Sequence, residues 1–306
     1  MQPAARVQAA IEIIDDILKN DFKINHSLKK WSRQNRYAGS KDRAAIRDLI
    51  FDAMRNLRSY SKVGGGMNGR AIMSAALHIK GHNLKLIFTG EKYAPKALKN
   101  FKFCSIGSLS DPELFNIPDW LWPIWSTDLA GGAMQVASAL RKRANIFLRV
   151  NKKKSTREQA VIKLRKAGIE ATLHPEVKTC LMVINGKEKI NQSMVYRGGL
   201  VEFQDTASQM SVDSLPDKLS GPILDYCAGA GGKALALASK YDKTIFAHDV
   251  VKNRMSDIPI RARRANARIK IIKNNNLIKN YYGLVFADVP CSGTGSWRRD
   301  PAGKWL

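Results

Sequence analysis

The sequence predicts a multidomain protein of the α + α/β class, in which a helical domain precedes two α/β regions. Apolar residues recur at helical spacing in the first part of the chain, whereas short β-like runs alternate with helical ones after residue 145. The length of 306 residues, 44% of them hydrophobic, is enough for about two or three separate cores. We therefore expect three domains, at residues 1–105, 106–200 and 201–306.

Residues 1–105 are expected to form an all-helical domain. Apolar side chains follow the helical period over residues 7–18, and again over residues 44–57 behind Ser40, which we expect to be an N-cap. Glycines at 64–66 interrupt the pattern, which resumes at residues 71–78. Nothing in this region resembles a catalytic constellation, so a packing scaffold is the simplest interpretation.

Residues 106–200 are expected to form a linker and a small α/β module like an RNA recognition motif. Three tryptophans in the segment 116–126 predict either a base-stacking surface or a buried anchor. Seven of the sixteen residues in the segment 140–155 are basic, which favours a phosphate-contacting edge over a merely solvated one. The module's predicted elements are a strand at 146–150, a helix at 157–167 and strands at 169–173 and 181–184.

Residues 201–306 alternate strands with helices, which predicts a Rossmann-like domain with a parallel sheet. The predicted elements, in chain order, are a strand at 223–224, a helix at 234–241, a strand at 244–247, a basic helix at 260–268, and strands at 269–272 and 284–287.

Charge and cysteine usage restrict the class of protein. The formal charge of +25, from 51 Lys and Arg against 26 acidic residues, favours a polyanionic partner such as nucleic acid over a merely solvated surface. The four cysteines form no Cys-x-x-Cys pair, so neither a metal site nor a disulfide framework is expected. No secretory signal or membrane-spanning run is recognisable. We therefore predict a soluble, cytoplasmic and monomeric protein without metal.

A glycine-rich motif joins the first strand of the last region to its helix: Leu224-Asp-Tyr-Cys-Ala-Gly-Ala-Gly-Gly-Lys-Ala234. Glycines at such a position allow backbone N–H groups to approach a ligand at the helix N-terminus. A phosphate loop is excluded, because Cys227 and Ala234 replace its first glycine and its Ser or Thr. A dinucleotide site and an S-adenosylmethionine site both remain open. Asp249, at about the 20-residue spacing of a ribose-binding acid, fits either of them.

A second motif, Asp288-Val-Pro-Cys-Ser-Gly293, follows the last predicted strand, where open α/β sheets place their sites. Addition of a thiolate to C6 of cytosine makes C5 nucleophilic enough to take a methyl group from a sulfonium donor. Because the thiolate is the reactive form, the thiol needs a lowered pKa or a base. Asp288 could hydrogen-bond N3 and the exocyclic amine of the ring. The flanking residues favour this chemistry over an ordinary buried thiol at Cys291.

These motifs, together with Arg298-Arg-Asp-Pro301 and Lys304-Trp305, resemble the RNA cytosine-5 methyltransferases of the Nop/Sun family. The segments Arg149-Val-Asn151 and Phe203-Gln-Asp-Thr-Ala-Ser-Gln209 are also similar to that family. The helical domain resembles the antitermination factor NusB, which implies that residues 1–105 bind RNA. The resemblance implies methylation of cytosine C5 with S-adenosylmethionine as the cofactor. It also implies 16S ribosomal RNA as the partner, bound before or during subunit assembly.

The resemblance implies a role for each matching residue. Asp249 would hold the cofactor's ribose, Asp288 would lie between cofactor and base, and Cys291 would be the cysteine that helps to release the product. Asn275 stands where the family has an acid near the adenine. The residues implied to bind the cofactor are Cys227, Ala228, Gly229, Ala230, Gly231, Gly232, Lys233, Asp249, Asn275 and Asp288.

The nucleophile of the family is a second cysteine in a later Thr-Cys-Ser motif. Cys180, which follows Thr179, is succeeded by Leu181, and a buried strand residue is its expected role. We therefore expect the chain to be truncated at its C-terminus, with an incomplete methyltransferase domain, and to be inactive as it stands. Two alternatives remain: a non-catalytic RNA-binding protein, and a DNA cytosine-5 methyltransferase in which Cys291 itself attacks.

Overall fold

The computed structural model of the chain describes residues 1–99, 101–273 and 277–306. The chain folds into two compact units. Unit 1 comprises residues 1–144 together with residues 292–306, and unit 2 comprises residues 145–291. No helix among the described residues combines the length and the apolarity that a bilayer-spanning segment requires.

The regular elements of unit 1 that the structure describes are all helices, as predicted for residues 1–105. Its core is built from the apolar faces of the longer helices, with Ile14, Ile50 and Ile72 fully buried. Ser40 is the first residue of its helix rather than the N-cap, which is Gly39. The helices are α1 Pro3–Lys19, α2 Ile24–Gln34, α3 Ser40–Arg55, α4 Leu57–Val63, α5 Gly69–Ile79, α6 Asp111–Phe115, α7 Leu121–Asp128 and α8 Ala133–Arg141.

The last fifteen residues of the sequence, 292–306, belong to the helical unit. Trp297 is buried against Trp125, with ring centroids 6.1 Å apart. The Trp305 indole donates to the Met54 carbonyl at 3.2 Å, and the Lys304 ammonium donates to the Arg55 carbonyl at 3.1 Å. This segment is therefore part of the core of unit 1, although it lies far from α3 in the sequence.

The three tryptophans of the segment 116–126 have different environments. Trp122 and Trp125 pack against the buried residues Ile117 and Leu121, whereas 69% of the Trp120 surface is exposed. A packing role therefore accounts for Trp122 and Trp125, which are partly buried, whereas Trp120 is largely exposed.

Unit 2 begins with an antiparallel sheet in the order β2-β3-β1-β4. The helix between its first two strands starts with a capping box formed by Thr156 and Gln159. Cys180 is fully buried in β3, as predicted. This βαββαβ arrangement is ferredoxin-like and confirms the predicted α/β module. Its elements are β1 Ile146–Val150, α9 Arg157–Lys166, β2 Glu170–Leu173, β3 Cys180–Asn185, α10 Met194–Arg197 and β4 Val201–Phe203.

The second sheet of unit 2 is parallel and has the order β7-β6-β5-β8, which confirms the predicted Rossmann-like domain. The strand order reverses between β5 and β8. In open α/β sheets, the crevice at such a reversal is the usual ligand site. The elements are α11 Thr206–Asp213, β5 Ile223–Asp225, α12 Gly232–Tyr241, β6 Ile245–Ala247, α13 Ile258–Ala265, β7 Ile269–Ile271 and β8 Leu284–Phe286.

Polar side chains join the two sheets within unit 2. The buried Glu202 carboxylate of β4 accepts a hydrogen bond from Arg261 at 3.0 Å and also pairs with Arg264, both on α13. At the end of α13, the Asn151 amide donates to the Ala265 carbonyl at 2.7 Å. The Lys154 ammonium donates to the Arg264 carbonyl, also at 2.7 Å. These contacts satisfy helix-terminal carbonyls that have no partner inside the helix.

The basic segment 140–155 is largely engaged in internal contacts. Arg149 is buried, Lys153 pairs with Asp242, and Lys154 binds backbone carbonyls. Arg141 donates to Asn56 within unit 1. The expected phosphate-contacting edge is therefore not supported for these four side chains, because each already has a partner or is removed from solvent.

Candidate cofactor and active site

Three acidic residues lie at the carboxyl ends of neighbouring strands. Asp225 ends β5, Asp249 follows β6 by two residues, and Asp288 follows β8 by two residues. Because the strands are parallel, these positions share one edge of the sheet. Asp225 and Asp288 flank the point at which the strand order reverses.

The glycine-rich loop, residues 226–231, connects β5 to α12 at this edge. Gly229 and Gly231 have φ values of +50° and +82°, in the left-handed region that favours glycine. The Ala228 amide donates to the His248 carbonyl at 2.8 Å, which fixes the loop to the chain beyond β6. A Cβ atom at Gly231 would lie only 2.8 Å from the Ile258 side chain. The loop therefore runs close to α13, where only glycine fits.

We expect Gly231→Ala to destabilise unit 2 by about 2–4 kcal/mol, because it adds overpacking to the cost of a left-handed alanine. Gly131→Ala is the matched control. Gly131 has the same φ of +82° but no neighbour within 4 Å of its Cβ position. The control should lose only about 1–2 kcal/mol. Urea unfolding of the cofactor-free chain measures both values, and equal losses would show that the approach of Ile258 is unimportant.

Asp249 fastens the glycine-rich loop to the segment after β6. Its buried carboxylate accepts hydrogen bonds from the Gly229 and Val251 amides, each at 2.9 Å. Arg254 lies 3.4 Å from the same carboxylate. Bonds from backbone N–H groups to a carboxylate are among the stronger hydrogen bonds in proteins. Asp249 thus orders the loop, and its role toward a ribose stays a prediction.

Asp225 is completely buried, and neither of its carboxylate oxygens forms a hydrogen bond of normal length and angle with a described residue; the Ala234 amide interacts with it only weakly. Burial raises the pKa of this carboxyl to about 7, an effect that the nearby Lys233 charge and the Ala234 amide only partly offset. A buried carboxyl group without a partner is costly to maintain, because nothing replaces the water that it has lost. It therefore requires an explanation such as a bound cation.

Lys233, in the first turn of α12, pairs with Asp288 at 2.5 Å. Half of the Asp288 side chain is exposed, so this ion pair adds little to stability. Its significance is positional, since it brings the segment after β8 next to the glycine-rich loop. The predicted site residues from Cys227 to Lys233, with Asp249 and Asp288, are therefore brought together.

The four cysteines differ in their environments. Cys291 is exposed and forms no hydrogen bond with a described residue. Burial raises the pKa of Cys180 to about 11, and burial together with the charge of Asp249 raises that of Cys227. Cys104 lies in the helical unit. Of the two exposed thiols, Cys104 and Cys291, it is Cys291 that lies near Asp288 in the sequence. The predicted cofactor residue Asn275 lies outside the described residues.

Two residues that were not predicted to be functional support the first turn of α12. Arg149 and Gln204 donate to the Gly232 carbonyl at 3.2 and 3.3 Å. Arg149 and Gln204 lie in the segments 149–151 and 203–209, which resemble the family but were given no role. That resemblance was the sequence signal that could have identified them. Tyr226 stacks on His248, with ring centroids 4.7 Å apart, and no sequence pattern pointed to this pair. Among the described residues, no cluster of His, Cys, Asp and Glu could hold a metal ion.

A parallel sheet with a strand-order reversal, a glycine-rich loop before a helix and an acid after the second strand define a Rossmann-like ligand-binding domain. Two family models match the chain. One describes the ferredoxin-like domain of RsmF/B-like methyltransferases and matches residues 117–188. The other describes the 16S rRNA methyltransferase RsmB/F and matches residues 214–306. These two regions are similar to RsmB/F methyltransferases, which confirms the resemblance found in the sequence.

Curated relatives carry the name ribosomal RNA small subunit methyltransferase B, in agreement with the prediction that the chain is most similar to RsmB, also called Sun. The protein of Vibrio vulnificus is 29% identical over 196 residues, which cover 62% of this chain and 46% of that protein. The protein of Vibrio cholerae is 26% identical over 203 residues, with coverages of 64% and 46%. The chain thus spans about half the length of the curated relatives it matches.

Solved structures support the fold. PH0851 superimposes with a TM-score of 0.72 at 19% identity, covering all of this chain and 78% of that one. NSun6 from Pyrococcus horikoshii, crystallised with SFG, gives a TM-score of 0.51 at 15% identity, covering 57% and 71% of the two chains. At these identities the similarity shows the fold alone.

Proposed function

We propose that the protein methylates C5 of cytosine in 16S ribosomal RNA, with S-adenosylmethionine as the methyl donor bound in unit 2. The match of residues 214–306 to the RsmB/F family model and the names of the curated relatives support the reaction class and the substrate. The presence of SFG, an analogue of S-adenosylmethionine, in the structure of NSun6 supports the choice of cofactor. The observation that carries the proposal is the unpartnered Asp225 carboxylate beneath the glycine-rich loop.

The residues at the sheet edge fit this cofactor. S-adenosylmethionine is cationic at its sulfonium and at its ammonium group, and a buried carboxylate without a partner is suited to a cation. The left-handed backbone at Gly229 and Gly231 shapes the turn into the start of α12, where the helix-terminal N–H groups can bind a ligand. The Asp249 carboxylate has lone pairs that can accept hydrogen bonds from the ribose hydroxyl groups. Asn275 is proposed to interact with the adenine. The cofactor supplies the methyl group in this proposal.

The residues after β8 would act on the base. Asp288 is proposed to hydrogen-bond the cytosine ring, held next to the loop by its ion pair with Lys233. A thiolate bonded to C6 makes C5 nucleophilic; after C5 has gained the methyl group and lost its proton, the C6–S bond breaks. Cys291 is proposed to assist this last step. Its exposure allows it to reach a base that has been turned out of a helix.

The nucleophilic thiolate is not assigned to any of the four cysteines of this sequence. Cys180 is buried with its pKa raised to about 11, and Cys227 lies in the glycine-rich loop with a raised pKa. Neither of them, nor Cys104 or Cys291, stands in a Thr-Cys-Ser motif. We therefore propose that the methylation needs a thiolate that these four cysteines do not supply, so that the polypeptide of 306 residues by itself binds the cofactor without turnover.

Cofactor binding provides the direct test. The polypeptide should bind S-adenosylmethionine in a calorimetric titration, and Asp249→Ala should weaken binding at least about 100-fold, because two charge-assisted hydrogen bonds that order the loop are lost. Asp217→Ala is the matched control, since 99% of the Asp217 side chain is exposed. The control should bind like the parent. Absence of binding by the parent would contradict the proposed cofactor site.

The two alternatives make different predictions. A non-catalytic RNA-binding protein would bind RNA with an affinity that is indifferent to S-adenosylmethionine. A DNA methyltransferase would transfer a radioactive methyl group to DNA, and Cys291→Ser would abolish the transfer. We place the protein in the cytoplasm as a monomer that acts on ribosomal RNA before or during subunit assembly. Sedimentation of the purified chain with and without RNA tests the monomeric state.

A further inference from the structure

A groove separates α2 from α3 on the surface of unit 1. We call it the α2–α3 groove; it has a volume of about 560 Å³. Leu28 and Ala44 contribute its apolar part. Its polar lining includes Lys29, Ser32, Arg33, Ser40, Arg43 and Arg47.

Helical spacing places the basic side chains on facing walls. Lys29 and Arg33 are four residues apart on α2, and Arg43 and Arg47 are four residues apart on α3. Residues at this spacing share one face of a helix and are about 6 Å apart along its axis. The groove is therefore lined on each side by two cations, separated by a distance comparable to that between successive phosphates of a strand.

The four cations of the α2–α3 groove are exposed and form no ion pair or side-chain hydrogen bond with a described residue. Two neighbouring basic residues, by contrast, are paired. Lys30 lies 2.6 Å from Asp16, and Arg6 lies 2.9 Å from Asp42.

The acids of α3 do not neutralise the groove. Asp42 binds the N-terminal ammonium group and Arg6, and Asp48 lies 3.5 Å from Arg143. Asp52 pairs with Lys80 at 2.6 Å. Four like charges facing one cleft repel each other, and an anion in the cleft relieves this repulsion. The arrangement therefore indicates a site for a polyanion rather than a solvated helix surface.

We infer that the α2–α3 groove binds consecutive phosphates of the RNA substrate, at a place separate from the cofactor site. This inference rests on the proposed function, because RNA methylation supplies the polyanion. The cations extend over one turn of each helix, as an extended backbone requires, whereas a free phosphate would need only one end of the groove. The Ser32 and Ser40 hydroxyl groups can donate further hydrogen bonds to phosphate oxygens.

The test compares the parent polypeptide with the double variant Arg43→Gln, Arg47→Gln. Binding of a fluorescein-labelled RNA hairpin is measured between about 50 and 200 mM salt. We expect the variant to bind about ten-fold more weakly at intermediate salt. The slope of log affinity against log salt should become shallower by about 1.4–1.8, or about 0.7–0.9 for each lost phosphate contact.

The matched control is Lys19→Gln, Lys85→Gln, which removes the same charge from exposed side chains of unit 1 outside the α2–α3 groove. It should change affinity by less than about two-fold. Both variants should retain the parent's affinity for S-adenosylmethionine, because neither alters unit 2. They should also retain its urea unfolding curve, because all four side chains are exposed. A loss with the control equal to that with the groove variant would overturn the inference, since net charge alone would then explain it.

The remaining outcomes separate this inference from the proposed function. If the groove variant binds RNA like the parent, the inference fails while the proposed function stands. If the parent binds S-adenosylmethionine but no RNA, the proposed substrate fails and the inference fails with it. Binding of the parent to anionic lipid vesicles instead of RNA, lost in the groove variant, would identify a membrane surface as the ligand and would also overturn the inference.

Discussion

Asp225→Asn is expected to stabilise the cofactor-free chain at pH 8 and to remove its affinity for S-adenosylmethionine. The carboxyl has a pKa of about 7 in the folded chain, against an ordinary value of 3.8. Between these values the folded chain holds a proton that the unfolded chain releases, so stability falls as the pH rises from about 4 to 7 and then levels off. Three pKa units correspond to at most about 4 kcal/mol. The uncharged amide of the variant does not cause this loss of stability at high pH.

Urea unfolding at pH 5 and pH 8, followed by calorimetric titration with the cofactor, measures both effects. The stability difference between variant and parent should be larger at pH 8 than at pH 5. Asp217→Asn removes an exposed acid and should change neither property. If Asp225→Asn binds the cofactor as tightly as the parent, the carboxylate does not serve as its cation partner. A pH-independent stability difference would show that Asp225 does not titrate in this range.

Glu202→Ala is expected to destabilise unit 2 by about 3–5 kcal/mol, because it leaves buried charges without their partner. Only 5% of the Glu202 side chain is exposed, and it neutralises Arg261 and Arg264 of α13. Arg149, which is buried and has its pKa lowered to about 10, also loses the favourable charge of Glu202. The change therefore weakens the connection between β4 and α13.

Circular dichroism during urea unfolding measures this loss. Glu176→Ala removes an exposed acid from the same unit and should be within about 0.5 kcal/mol of the parent. Glu202→Gln keeps the shape and should fall between the two. Because Arg149 also donates to the Gly232 carbonyl, Glu202→Ala should further reduce cofactor affinity. A loss no greater than that of the Glu176 variant would show that the arginines find other partners or water.

Strands and helices are predicted well where residues close together in the sequence determine them. The apolar runs at 146–150 and 284–287 correspond to β1 and β8, and the alternation of strand and helix predicts the parallel sheet. Glycines before a helix fix the loop, because left-handed backbone at Gly229 and Gly231 is easily reached only without a side chain. The spacing of Asp249 from the glycine-rich loop also predicts its place just after β6, because loop and helix lengths in such units vary little.

Contacts between distant residues could not be predicted in this way. Lys153 and Lys154 read as an exposed basic run, yet their partners are Asp242 and the end of α13. The burial of Asp225 depends on neighbouring strands that meet only in the folded sheet, and so does its raised pKa. The pairing of Asp249 with the Gly229 amide is likewise invisible until the loop has folded.

The helical unit is discontinuous along the chain, and this has a consequence for synthesis on the ribosome. Trp305 donates to a carbonyl of α3 across 251 sequence positions, and Trp297 fills a cluster with residues of α7. A growing chain can form the ferredoxin-like and Rossmann-like sheets before residues 292–306 emerge. The first unit to be synthesised thus stays incomplete while these sheets form, and until residues 292–306 arrive the part of α3 that Lys304 and Trp305 contact is uncovered.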